Sequence, residues 1–233
     1  MTPARATKTA PSSDSRLSLY RLGDFALAFA FTIFTAARVL AVGESWRDGE
    51  HLEALNHAST GIFLAISALL FLWRGPAIAR AGSLLPKVVA LVGTWTVVPL
   101  IWQPIVWHAD AVLLLSSVAL LLVNLFVIWA VWTLRRSLSI FPEARELVRR
   151  GPYGFIRHPL YAAHMLSYSL ILLPRWAPLA ILLAAVGIGC ELWRARNEES
   201  VLRSAFPAYD AYAAATPRFV PRPMSVRRRV RNG

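Results

Sequence analysis

Six apolar stretches dominate this chain, spanning roughly residues 19–42, 58–73, 84–107, 111–134, 160–174 and 176–193. A helix needs about 20 apolar residues to cross the hydrocarbon core of a bilayer. The first, third and fourth stretches reach that length and the second comes close. The last two are short and separated only by Pro174-Arg175, so they read as a helical hairpin that crosses with little tilt or turns back inside the bilayer. The composition agrees: 56% of the 233 residues are hydrophobic and only 16% charged, with a mean hydropathy of +0.49. A soluble domain carries nearer a quarter charged residues, because it must wet its surface. The expected fold is therefore an all-α, polytopic transmembrane helix bundle of about five to six spans, closing with that C-terminal hairpin.

The basic residues give an independent test of this map. With the N-terminus cytoplasmic and all six stretches crossing, 22 of the 25 Lys and Arg fall on the cytoplasmic side, counting Arg21 at the start of the first span. The opposite side keeps Arg47 and Arg175, while Arg38 lies within the first span. The connection 43–56 there carries Glu44, Asp48, Glu50 and Glu53. This positive-inside bias places both termini in the cytoplasm. It also accounts for the formal net charge of +12. The tail 222–233, with Arg227, Arg228, Arg229 and Arg231, reads as a patch for anionic headgroups. No sequence pattern of a nucleic-acid module accompanies it.

Residues 1–18, rich in Ser, Thr, Pro and Ala, read as a disordered leader, followed by an N-terminal bundle over 19–134. The first span is too long for a signal-peptide core and is expected to be retained. The single cysteine, Cys190, excludes an internal disulfide framework and any multi-cysteine zinc site. Asp24 and Arg38 lie in or near the first span and are expected at its two interfaces. Asp48, His51 and His57 have no compact ligand spacing and read as a solvated loop.

Chemistry-bearing residues gather after Leu134, in the region 135–221. The segment 135–157 is densely charged and runs into Gly151-Pro152-Tyr153-Gly154 and then Arg157-His158-Pro159-Leu160-Tyr161. Pro159 suits the first turn of a helix. The free N–H groups of that turn would offer a seat to an anionic group, with His158 at the entrance and Tyr161 one turn on. A turn with interfacial anchors fits the same spacing. The second cluster, Glu191, Arg194, Arg196, Glu198 and Glu199, begins where the sixth stretch ends. Arg194 and Glu198 are four apart and share a helical face. Beyond it, Leu202, Phe206, Tyr209 and Ala213 recur at helical spacing and read as a cytoplasmic amphipathic helix. Since the hairpin returns the chain to the side it left, His158, Tyr161, Arg194 and Glu198 can converge on a polar pocket at the membrane surface.

The string Glu146-Leu147-Val148, Gly151-Pro152-Tyr153 and Arg157-His158-Pro159-Leu160-Tyr161 resembles the signature of the isoprenylcysteine carboxyl methyltransferases and their bacterial phospholipid methyltransferase relatives. The later string from Arg194 through Glu198-Glu199 to Leu202, Phe206, Tyr209, Tyr212 and Pro217 is similar to the C-terminal motif of the same group. The likeness covers about 80 residues, Arg145 to Pro221. It departs from the family pattern at Ala163, where many members have glycine, and at Arg145, where others have histidine.

The resemblance implies a membrane methyltransferase that uses S-adenosylmethionine, with a lipophilic acceptor (a prenylcysteine-like carboxylate or a lipid amine) entering from the bilayer. It implies an active site on the cytoplasmic face of a bacterial inner membrane. Carried over position by position, Arg145, Leu147, Val148, Tyr153, His158, Pro159 and Tyr161 would line the cofactor site, and Glu198 would hold the cofactor's polar end. Arg194 would hold the substrate. For an amine acceptor, Glu199 is the candidate base. No Gly-x-Gly-x-x-Gly loop is present, so the soluble dinucleotide-type cofactor fold is absent. A sterol-type reductase using a nicotinamide cofactor and a non-catalytic lipid-binding membrane protein are the alternatives.

Overall fold

The structure, a computed structural model, describes residues 13–74, 77–80 and 82–221, with side chains from Leu22 onward. The leader up to residue 12 and the basic tail from residue 222 lie outside the described residues. The fold is an all-α membrane bundle. Helix α1 (Ser13–Arg47) and α2 (His51–Trp73) form an antiparallel pair. Helix α1 starts six residues before the apolar stretch does, so residues 13–18 of the expected leader are helical. The connection between the two helices shrinks to Asp48–Glu50, with Gly49 at φ +80°. His51 and His57 therefore belong to α2 rather than to a loop, and Arg38 meets the His57 Nδ1 at 3.2 Å. The aromatic rings of Phe31, Phe63 and Phe71 meet edge to face along the α1–α2 seam.

The third stretch does not form one long helix. It splits into α3 (Leu85–Trp95) and α4 (Val97–Ile101) with a turn at Thr96. Pro99 explains the break: it lacks the N–H that would bond to Trp95, and its ring crowds that carbonyl. The chain then runs without regular structure to α5 (Asp110–Leu134). Helices α6 (Pro159–Leu172) and α7 (Pro178–Ala205) make the hairpin. At the far end from the charged clusters, the Pro174 carbonyl accepts from the Val106 and Trp107 N–H groups, and the Arg175 Nε donates to the Gln103 carbonyl. Among the described residues, four helices are long and apolar enough to cross a membrane: Leu22–Arg47, His51–Trp73, Asp110–Ser137 and Pro178–Ala205. Their outer faces stay apolar, as Phe29 (68% exposed) and Leu40 (70%) show. A soluble protein would not leave such faces bare.

Helix α7 continues unbroken to Ala205, past the sixth apolar stretch, and the expected amphipathic helix through Leu202 and Ala213 does not form as one piece. Pro207 drives Phe206 into an extended conformation (φ −130°, ψ 109°), which stops α7. Only the seven-residue α8 (Tyr209–Ala215) follows, with Tyr209 and Tyr212 buried. A two-residue antiparallel ribbon, β1 (Ala79–Arg80) with β2 (Glu143–Ala144), ties the α2–α3 connection to the segment after α5.

Helices α3, α6 and α7 approach closely through glycine. A Cβ at Gly187 of α7 would lie 2.3 Å from the Tyr168 ring of α6, and one at Gly93 of α3 would lie 2.9 Å from the Cys190 Cβ. The Tyr168 hydroxyl donates to the Gly93 carbonyl at 2.6 Å, locking the three helices together. Small residues are how membrane helices gain such contact, because lipid offers no hydrophobic drive for association.

Candidate active site

The hairpin brings the two charged clusters together. Helix α7 presents Glu191, Arg194 and Glu198 on successive turns of one face, since residues three and four apart are neighbours on a helix. Opposite them, α6 begins at Pro159 and presents Tyr161 and His164. Before it, a 3₁₀ turn over Gly151–Gly154 buries Pro152 and Tyr153. Tyr153, His158, Tyr161, His164, Arg194 and Glu198 line one internal cavity of about 100 Å³. Arg157 and Glu143 also reach it, and an apolar part of its wall comes from α1, α2 and α5 through Phe31, Phe63, Phe71 and Val131. One end of the cavity is thus ionic and the other greasy.

Arg194 is 4% exposed and already committed. Its Nη1 donates to the Glu191 carboxylate at 2.9 and 3.1 Å, and its Nη2 donates to the Ile140 carbonyl at 3.1 Å. The guanidinium also lies 4.9 Å from the Tyr161 ring centroid. Its carboxylate partner is Glu191, one turn back, rather than Glu198. His164 places Nδ1 3.4 Å from the same Glu191 carboxylate, with a third of its side chain exposed. The Glu198 carboxylate lies 3.8 Å from His158 Nδ1. The His158 and Tyr161 rings stack at 5.4 Å. Burial beside Glu198 pushes the Tyr153 phenol well above its ordinary value, so it stays protonated.

Glu199 faces a different direction, a third of a turn from Glu198. Its carboxylate accepts from Arg157 Nη2 at 3.1 Å, from His158 Nε2 at 3.1 Å and from Arg218 at Nε (2.8 Å) and Nη2. Arg157 in turn donates to the carbonyls of Ala213 and Thr216. Backbone bonds from Arg157 to Pro217 and from His158 to Arg218 complete a clasp between the start of α6 and the C-terminal segment. Those two backbone N–H groups are therefore used, and the expected anion seat narrows to the first turn of α6 beyond Pro159.

Comparison with known proteins bears on this region directly. Residues 111–208 match the family model for phospholipid methyltransferases. Over these residues the chain is similar to the phospholipid methyltransferase family. The match takes in α5, the hairpin and every residue of the ionic wall. Two curated relatives are similar to the chain over part of their length. One is the nickel-cobalt-cadmium resistance protein NccN of Alcaligenes xylosoxydans xylosoxydans, 36% identical over 34% of this chain and 38% of its own. The other is the cobalt-zinc-cadmium resistance protein CzcN of Cupriavidus metallidurans, 32% identical over 47% of this chain and 50% of its own. The chain thus spans half or less of the curated relatives it matches.

Within the matched segment, the residues singled out from sequence do not all meet. Tyr153, His158, Tyr161, Arg194 and Glu198 share the cavity. Pro159 is buried beneath it as the first residue of α6. Val148 packs into a small core with Ala130 and Tyr153, and Leu147 is half-buried outside the lining. Arg145 points into a second cavity and pairs with Glu143 at 2.6 Å. The bidentate hold on a substrate carboxylate expected of Arg194 is not what the geometry offers, because its fork is occupied. Nor is Glu199 placed as a base, because three positively charged or hydrogen-donating partners saturate it. Glu191 and His164 are the groups that sequence reasoning left without a role. Glu191 stood at the edge of an apolar run, and His164 had no charged neighbour in sequence to mark it.

Proposed function

We propose that this protein transfers a methyl group from S-adenosylmethionine to a lipophilic amine. The observation that carries this reading is the two-ended cavity, ionic on α6–α7 and apolar toward α1, α2 and α5, within the segment that matches the methyltransferase family. The cofactor, when bound, supplies an electrophilic methyl group on a sulfonium. Two buried polar atoms at the ionic end support a fit: the Tyr153 hydroxyl and the Arg194 Nε have no hydrogen-bond partner among the described residues. The half-exposed Glu198 carboxylate is the natural partner for an ammonium group. The cavity is smaller than the roughly 300–1,000 Å³ common for small-molecule sites, so occupancy requires the lining to open.

The protein's own contribution is positioning, water exclusion and proton handling. The two arginines that line the cavity, Arg157 and Arg194, are paired with Glu199 and Glu191, which disfavours a carboxylate acceptor. An amine must lose a proton to attack. His164 is the group placed to take it: Nδ1–H directed at Glu191 leaves Nε2 as the acceptor, the same base-and-orienter arrangement that serves other nucleophilic sites. Lipid-facing helices around the apolar end would admit the acceptor sideways from the bilayer. The charge distribution in sequence puts this end of the bundle in the cytoplasm.

The relatives' names concern resistance to metal ions. Among the described residues no group of three His, Cys, Asp or Glu is placed to hold one.

The test is incubation of the detergent-purified protein with methyl-labelled S-adenosylmethionine and phosphatidylethanolamine, followed by chromatography of the lipids. Label in the lipid, lost in His164→Ala, is expected. Label in a carboxyl ester instead would overturn the amine reading, and no thermal stabilisation by the cofactor or its demethylated product would overturn methyl transfer altogether.

A further inference from the structure

Across the segment Ser139–Glu143 from the candidate active site lies a second cavity, also about 100 Å³, with a different character. Five elements meet there. Helix α1 contributes Asp24, the end of α2 contributes Arg74, β1 contributes Arg80, α3 contributes Lys87, and the β2 segment contributes Glu143 and Arg145. Among the described residues, four cations and two carboxylates line this cavity. A single carboxylate, Glu143, serves Arg145 at 2.6 Å, Arg80 at 3.1 Å and Arg74 at 3.8 Å, and Asp24 pairs with Arg74.

These are not surface charges. The side chains of Arg74, Glu143 and Arg145 are 4%, 7% and 6% exposed. Arg74 Nε is buried with no hydrogen-bond partner among the described residues. Burial, reinforced by the neighbouring Arg145, lowers the Arg74 guanidinium to about 10. Burying more cations than anions is costly unless a further anion is supplied. Guanidinium forks match phosphate oxygens in geometry, and the buried Arg74 Nε is a donor that such an oxygen would satisfy.

The surroundings point to a lipid as its carrier. On α1, Leu22 and Phe25 flank the cavity residues Gly23 and Asp24 and are 63% and 56% exposed on the bundle's outer face. An acyl chain leaving the cavity would run along them. We propose that this second cavity binds the phosphate headgroup of an acidic lipid, for which phosphatidic acid is the simplest ligand. The proposal does not depend on the methyl-transfer reading.

Thermal unfolding of the full chain in detergent tests it, with dioctanoyl phosphatidic acid, inorganic phosphate and dioctanoyl phosphatidylcholine in separate arms. Phosphatidic acid alone should raise the midpoint, since a ligand of the folded state stabilises it. Lys87→Ala and Arg80→Ala leave the more deeply buried Arg74 and Arg145 in place. Each should weaken that response about tenfold in apparent affinity, the equivalent of one charged hydrogen bond, with the ligand-free midpoint little changed. Equal stabilisation by inorganic phosphate would overturn the lipid assignment. No response to phosphatidic acid, or a response that both variants retain in full, would overturn the site.

Discussion

The replacement Glu199→Gln separates a clasp from a catalytic base, because it keeps the shape of the side chain and removes its charge. Glu199 is 3% exposed, and its partners differ in burial: the His158 and Arg157 side chains are 3% and 13% exposed, and that of Arg218 is 37%. The Arg218 contact is open to solvent and contributes under about 1 kcal/mol. The Arg157 and His158 contacts are not, and leaving a buried cation unpaired costs about 3–5 kcal/mol. A domain of this size shifts by about 2–4 °C per kcal/mol. The variant should therefore unfold about 6–20 °C below the parent, with increased protease sensitivity around Ala213–Arg218, where Arg157 anchors the chain. Thermal unfolding in detergent with limited proteolysis gives both readouts. A variant that melts within about 2 °C of the parent but has lost methyl transfer would refute the clasp and restore Glu199 as a base.

Three further changes probe the remaining parts. Glu198→Ala should abolish stabilisation by S-adenosylmethionine with little effect on the ligand-free midpoint, read by titration calorimetry against Glu53→Ala on the opposite face; undiminished affinity would remove Glu198 from the cofactor site. Gly187→Val should lower the midpoint by about 1–3 kcal/mol equivalent, the usual cost of overpacking, since its side chain would enter the Tyr168 ring; an unchanged midpoint would refute the close approach. Burial pushes the Tyr212 phenol up to about 12, whereas an unfolded tyrosine ionises near 10. Between those values the unfolded chain has released a proton that the folded one keeps, so stability should fall as pH rises from about 10 to 12. Tyr212→Phe should reduce that slope, and an identical slope would refute the assignment.

The bundle was legible because its information is one-dimensional. Long apolar runs mark helices whatever they pack against, and Pro174-Arg175 marks the turn between α6 and α7. The misreadings come from proline acting at a distance along the chain. Pro99 breaks the third stretch three residues before itself, and Pro207 ends α7 well beyond the point where the sequence stops being apolar. Hydropathy registers neither event. The start of α7's polar half looked like a helix end only because its composition changed there, although the backbone has no reason to stop until Phe206.

Half of the candidate site was legible for the same reason. Tyr161, Arg194 and Glu198 meet because a hairpin returns to its own side, and topology alone requires that. Who pairs with whom is a three-dimensional question with close competitors. Glu191 and Glu198 are both one helical turn from Arg194, and sequence spacing alone cannot choose between them. The choice follows from depth: Arg194 and Glu191 are 4% and 1% exposed, and two charges this far from water stabilise each other more than either would a carboxylate near the surface. That selection decides the chemistry. Arg194 bound to Glu198 would leave Glu191 to raise the cost of the apolar interior and would strip the cavity of its partner for an ammonium. With Arg194 bound to Glu191, Glu198 faces the cavity and His164 gains its orienting carboxylate.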